Sequence, residues 1–267
     1  KLPNQFIHTG ISEQNMIDIA IGLSIKKKIV VNYAMAPFIL ARAWEQHKIS
    51  STMKLPMINL VPGIGYGYAN AGPTHYSNED LGLANLIVDS NIYTASDSKL
   101  ASKIASYLLK KKEISFVRLE RLAVKNLNHN ISNLDIRNGY RILFSGKKLC
   151  VISHGYLLNK IYKIIQNDDY LRTSIMLIDL FKSKPIDNSL SSILKNYFHT
   201  LVFDEQYENF NLSTLLLKYI NTHSLNNKIV PFALKETIDY GNDGREKILS
   251  RNNLSDDKII NIFKTYL

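Results

Sequence analysis

Cysteine is almost missing from this chain of 267 residues: Cys150 stands alone. A single thiol can build neither an internal disulfide framework nor a cysteine-based zinc site. Acidic side chains are in deficit, 23 Asp and Glu against 33 Lys and Arg, which leaves a formal charge of +10. No stretch of about 18 apolar residues is free of a charge or a breaker, so no transmembrane helix is expected. The opening residues Lys1-Leu2-Pro3-Asn4-Gln5 have no apolar signal-peptide core. Low-complexity tracts are lacking too, and 45% apolar with 21% charged residues is ordinary globular composition. Disorder and collagen-like structure are therefore excluded. The length suits about two domains, and a reducing, cytoplasmic compartment fits the lone cysteine.

The basic surplus raises the question of nucleic acid or membrane partners. Lys26-Lys27-Lys28 and Lys110-Lys111-Lys112 each close a helical pattern just before an apolar run. Cations there complement the helix C-terminal dipole and solvate a turn. No zinc finger, arginine-rich stretch or RNA-binding aromatic motif accompanies them, so neither a nucleic acid nor a membrane partner is expected.

Helical and strand-like segments alternate almost throughout. Helices are predicted over 12–25, 38–50, 79–89 and 99–111, with strands over 28–33, 57–61, 92–95 and 114–119. Residues 124–140 are polar, rich in asparagine and without a period, and read as a linker between domains 1–123 and 141–267. The second unit repeats the rhythm. Its strands are expected at 148–153, 174–181, 200–204 and 228–232, and its helices at 156–166, 189–197, 212–221 and 256–266. Strands spaced by helices predict an α/β chain of two mostly parallel sheets flanked by helices.

Gly63-Ile64-Gly65-Tyr66-Gly67 follows a strand and resembles a dinucleotide fingerprint, but the third glycine belongs at 68, where Tyr68 stands, and no helix follows. The simpler reading is a flexible loop at the carboxyl end of a strand, where ligands bind in open α/β sheets. Ser12 reads as an N-cap, with Glu13 favouring the positive end of the helix behind it. His75 sits in a turn ahead of a capped helix.

Taken together, in order and spacing, these pieces resemble the transketolase family over nearly the whole chain. Gly10-Ile11-Ser12-Glu13-Gln14-Asn15-Met16 is similar to its glutamate motif, and Arg42-Ala43-Trp44-Glu45-Gln46 to the helix after its aromatic cofactor-stacking segment. Gly72-Pro73-Thr74-His75 with Glu79-Asp80 resembles its histidine loop, and Val117-Arg118-Leu119-Glu120-Arg121 the strand closing its pyrimidine-binding domain. The run Ile178-Asp179-Leu180-Phe181-Lys182-Ser183-Lys184-Pro185-Ile186-Asp187 resembles a signature of its C-terminal domain.

The resemblance implies thiamine diphosphate as cofactor and two-carbon ketol transfer between sugars. Glu13 matches the carboxyl that hydrogen-bonds the pyrimidine ring nitrogen; a dry site would suit it by favouring the neutral acid. Phe38 matches an aromatic position packed on that ring. Met35 falls where another aromatic is usual, and a thioether can still pack there. His75 matches a histidine that contacts substrate and helps shuttle protons. Arg121, with Arg118 second, matches a strand-end arginine that binds substrate phosphate.

The same resemblance implies a missing half. The Gly-Asp-Gly segment that holds the diphosphate through Mg2+ does not occur in the sequence, and Asn242-Asp243-Gly244 has too little chain after it. A complementary subunit is therefore expected to supply the diphosphate and metal, as in a split transketolase, in a dimerising assembly acting on sugars or sugar phosphates. Only nine residues precede Gly10, where the family has a strand and a helix, so an N-terminally short chain is expected. Two positions depart from the family: Ala71 replaces a usual aspartate, and Gly63 a usual histidine. They keep two alternatives open: a related carboligase, of deoxyxylulose-phosphate-synthase or unusual-sugar type, and a non-catalytic subunit of the same fold.

Overall fold

Apolar runs alternating with segments of helical period place strands and helices in turn along the chain. The computed structural model describes residues 3–267 and arranges them in two five-stranded sheets with helices on their faces. Lys1 and Leu2 of the N-terminal stretch lie outside the described residues.

In the first unit, α1 (Glu13–Ile25) leads into β1 (Val31–Tyr33), then α2 (Ala36–Arg42), α3 (Trp44–Thr52) and β2 (Met57–Pro62). After the glycine loop come α4 (Asp80–Asn85), β3 (Ser90–Thr94), α5 (Ser98–Leu108) and β4 (Ile114–Leu119). The helix expected over 38–50 is two helices meeting at Ala43, whose φ of −106° is not helical. That break turns Trp44, whose indole N–H donates to the Leu83 carbonyl at 3.2 Å. The polar stretch 124–140 is not structureless: it holds α6 (Asn133–Asn138), opened by a reciprocal Ser132–Asp135 capping box.

The second unit comprises β5 (Arg141–Ser145), β6 (Leu149–Ser153), α7 (Gly155–Gln166), α8 (Asp169–Ser174), β7 (Ile175–Asp179) and β8 (Lys182–Lys184). Then follow α9 (Leu190–Leu194), β9 (His199–Tyr207), α10 (Leu212–Thr222), β10 (Lys228–Leu234), α11 (Arg245–Arg251) and α12 (Asp256–Tyr266). Strand β6 is buried along its whole length, as a strand covered by helices on both faces must be.

The first sheet has the order β1-β2-β4-β3-β8 and the second β10-β9-β6-β7-β5. Each is parallel except for one edge strand, β8 against β3 and β5 against β7. Strand β8 crosses over: it follows β7 in sequence yet pairs with β3 of the first unit, so the second unit does not keep all its strands to itself. Lys184 locks the crossing by donating to the carbonyls of Asn85 and Ile87 at 2.8 and 2.6 Å.

Helices α1 and α2 and strands β2 and β4 enclose one core of Ile17, Ile39, Leu40, Val61 and Phe116, all fully buried. Each such side chain contributes about 1.5–3 kcal/mol by leaving water. This core fixes the start of α1 and the outer face of α2 side by side, and those two elements carry the site.

Candidate cofactor and substrate site

Helix α1 begins at Glu13. Ser12 occupies the N-cap position, but its hydroxyl makes no cap; it donates to the Thr9 carbonyl at 2.6 Å and tightens the turn before the helix. Glu13 likewise does more than complement a helix end. Its side chain is only 11% exposed, and it accepts from the Arg42 guanidinium at 3.0 Å. Arg42 ends α2, four residues after Phe38, so the two share one helix face. Its guanidinium carbon lies 4.2 Å from the centroid of the Phe38 ring.

The Phe38 ring in turn meets His75 edge to face, with centroids 5.3 Å apart. His75 ends the short 3-10 turn Pro73–His75, and its Nδ1 is 2.9 Å from the Thr74 hydroxyl. On its other side stands Tyr68, at 6.4 Å between centroids, and the Arg121 guanidinium lies 4.5 Å from the Tyr68 ring centroid. Contacts thus run without a gap from Glu13 through Arg42, Phe38, His75 and Tyr68 to Arg121. Met35 stands half-buried at the N-cap of α2, three residues before Phe38.

Arg118 is not brought to this surface. Strand β4 alternates faces, and Arg118 is turned into the interior, where it is 1% exposed. Its Nε and Nη2 donate to the two Asp80 oxygens at 2.7 and 3.0 Å, and its Nη1 to the Thr94 hydroxyl at 2.9 Å. Buried and engaged in this way, it is not presented to an incoming phosphate, whereas Arg121, past the end of the strand, is exposed.

The glycine loop is tied down rather than flexible. Gly63 N–H donates to the Leu119 carbonyl at 2.8 Å, and Gly65 and Ser77 exchange two backbone bonds of 2.9 Å. Gly63 has φ +88°, and a Cβ there would come within 2.1 Å of the Tyr68 ring. Tyr68 therefore fills the place a side chain at 63 would take. Sequence reasoning passed over Tyr68 and took Arg42 only as part of a motif. The spacing of Phe38 and Arg42 on one helix was the available signal for Arg42; nothing local marks Tyr68.

Behind the loop the two units join through buried charges. Arg245, at the start of α11, pairs with Glu120 at 2.7 Å and Glu205 at 2.8 Å. His154 pairs with Asp204 through its Nε2 at 3.1 Å, with the Arg118 Nη1 3.3 Å from that same nitrogen. Arg141 spans Asp97 and Asp179 at 2.8 and 2.9 Å. Only about 10 Å³ of free space remains in the seam around Arg118, His154 and Arg245, no more than about one water needs.

A nearly buried carboxylate, a partly covered aromatic face and an imidazole form a donor set that fits a planar aminopyrimidine. Gly10 and Gly72, both at positive φ, leave open space at its margin, with no atom within 4 Å of where a Cβ would stand. Among the described residues, no group of three His, Cys, Asp or Glu is placed to hold a metal ion, and no helix is long and apolar enough to cross a membrane.

The fold is that of a pyrimidine-binding unit followed by a C-terminal unit. The transketolase pyrimidine binding domain matches residues 1–126 and the transketolase C-terminal domain matches residues 139–258. The chain belongs to the transketolase family. It is 28% identical over 193 residues to one subunit of an apulose-4-phosphate transketolase from Phocaeicola vulgatus, a match covering 70% of this chain and 60% of that one. The like-named subunit from Actinobacillus succinogenes is 22% identical, over 84% of this chain and 72% of its own length. Among solved structures, a split-gene transketolase described as an inactive beta4 tetramer superposes with a TM-score of 0.85 at 19% identity, over 100% of this chain and 85% of that one. The transketolase of Campylobacter jejuni superposes at 0.78 with 16% identity, over 97% of this chain and 39% of that one. At such identity these structures speak for the fold. The chain is thus similar to one subunit of a split transketolase.

Proposed function

We propose that this chain supplies the pyrimidine half of a thiamine diphosphate site for two-carbon ketol transfer between sugars, and that residues 1–123 carry that half. The observation that carries the reading is the unbroken line of contacts from Glu13 to Arg121, which gathers four of the residues assigned to cofactor and substrate. When bound, thiamine diphosphate supplies a nucleophilic carbon and an electron sink. The protein's part is placement and proton control. Glu13, nearly buried on α1, holds a proton toward the pyrimidine ring nitrogen. Phe38 and Met35 present the apolar surface on which the ring lies. His75, beside Phe38, hydrogen-bonds the sugar and passes protons. Arg121, exposed beyond β4, takes the phosphate of a sugar phosphate; Arg118, engaged with Asp80, does not share that role.

The diphosphate and Mg2+ fall to a complementary subunit. The naming of the relatives as subunits supports this. Calorimetry tests it. The chain alone should bind thiamine diphosphate weakly, and addition of the complementary subunit with magnesium should restore tight binding. Tight, magnesium-dependent binding by the chain alone would contradict the split site.

A further inference from the structure

The Glu13 carboxylate and the Phe38 ring already have a partner in this chain, and it is the same one. Arg42 donates to Glu13 at 3.0 Å while its guanidinium lies 4.2 Å from the centre of the Phe38 ring. A guanidinium is planar, carries N–H donors along its edge and stacks on aromatic faces. An aminopyrimidine is also planar, and in the proposed site its ring nitrogen meets the same carboxyl group while its face lies on the same ring. The two cannot share the Glu13 Oε2 edge and the Phe38 face that Arg42 now covers.

We propose that Arg42 is a resident mimic of the cofactor's pyrimidine ring, a gate that fills the slot in the free chain and must swing out when the cofactor enters. This rests on the cofactor reading of Glu13 and Phe38. The Arg42 side chain is 49% exposed against 11% for Glu13, so it has solvent to swing into while the carboxylate stays in place. An ion pair whose arginine is half-exposed and one cation–π contact are weak enough to yield. Held in place, they keep the carboxylate paired and the aromatic face covered until a better-fitting ring arrives. The free chain thereby trades affinity for a site that stays closed to other planar cations.

The test is calorimetric titration of the full chain with the free aminopyrimidine half of thiamine, which needs no diphosphate site. Removing the competitor in Arg42→Ala or Arg42→Gln should tighten binding by about three- to tenfold. Arg42→Lys, which keeps the charge but loses the plane, should fall between these and wild type. The same variants should melt slightly lower than wild type, so that stability and affinity move in opposite directions; a merely structural arginine would lower both. Unchanged or weaker binding in Arg42→Ala and Arg42→Gln overturns the gate. If binding occurs but Glu13→Gln and Phe38→Ala leave it unaltered, the cofactor slot lies elsewhere and the reading beneath the gate fails. Absence of binding in wild type and in both open variants overturns gate and slot together.

Discussion

Glu13 shows how one side chain separates a structural role from a chemical one. As a helix-end acid paired with a half-exposed arginine, it is worth about 0.2–1 kcal/mol. Glu13→Gln should therefore cost little stability. In the complex saturated with cofactor, however, hydrogen–deuterium exchange at the cofactor's C2 should slow by about 10²–10⁴, the range of a lost acid–base group. Unchanged exchange would return Glu13 to the structural role. His47 is a second informative residue. It is fully buried with its ring edge to face against Phe116 at 5.0 Å. Burial lowers its pKa from 6.5 to about 4. Between those values the unfolded chain takes up a proton that the folded chain refuses. The stability His47 allows is complete above pH 6.5 and is lost as the pH falls toward 4, by up to roughly 3 kcal/mol. His47→Leu should flatten that limb. Urea unfolding of both proteins at about pH 5 and about pH 7 measures it, and equal pH slopes would show that His47 carries none of the effect.

At the scale of elements, the long periodic segments were legible and the short ones were not. Helix α7 reads directly, because Leu157, Leu158, Ile161 and Ile165 recur at helical spacing and all are buried. Helix α8, with six residues, and α11, with seven, are too short to show a period, and α11 is mostly charged. Strand β8 is Lys-Ser-Lys, with no β propensity; only its pairing with β3 makes it a strand. The site follows the same division. Glu13, Phe38, His75 and Arg121 were singled out through the family resemblance, and in the structure they lie along one line of contacts. The burial of Arg118 was not legible, since its partner Asp80 is 38 residues away. Nor was the tied glycine loop, whose order depends on Leu119 and Ser77. Gly63 tests that loop. Its positive φ and the 2.1 Å approach to Tyr68 mean that Gly63→Ala must strain the backbone and push the ring aside. The strain should cost about 1–3 kcal/mol. With Tyr68 displaced, Arg121 loses its platform and sugar-phosphate KM should rise. A wild-type KM in Gly63→Ala would show that Tyr68 does not help position Arg121.

For the whole molecule, Arg245 is one of the buried charges that join the two units. Its guanidinium is shared by Glu120, just after β4 of the first unit, and Glu205, on β9 of the second, and it lies 3.9 Å from the Tyr156 ring centroid. Both carboxylates are nearly buried, at 5% and 7% side-chain exposure. Glu205 also accepts from the Tyr66 N–H at 3.1 Å, which anchors the glycine loop to the second unit. Burial holds the Glu205 carboxyl above its ordinary value even though Arg245 opposes the shift. Arg245→Met would leave two buried carboxylates facing each other without a counter-charge, a loss of about 3–5 kcal/mol for a broken buried pair. The pKa of the Glu205 carboxyl, without Arg245 to oppose its burial, should then rise further in the folded state. A raised carboxyl pKa contributes stability at low pH that is lost as the pH climbs through it, so the variant should be most damaged at neutral pH and partly restored in acid. Glu205→Gln added to Arg245→Met should restore part of the loss at neutral pH by removing one stranded charge. The single tryptophan, Trp44, belongs to the first unit, so its fluorescence reports that unit while circular dichroism reports both. In wild type the two signals should unfold together; in Arg245→Met they should separate, the loss of coincidence that marks two units no longer coupled. Coincident transitions at the wild-type midpoint would show that the units are held together without this arginine.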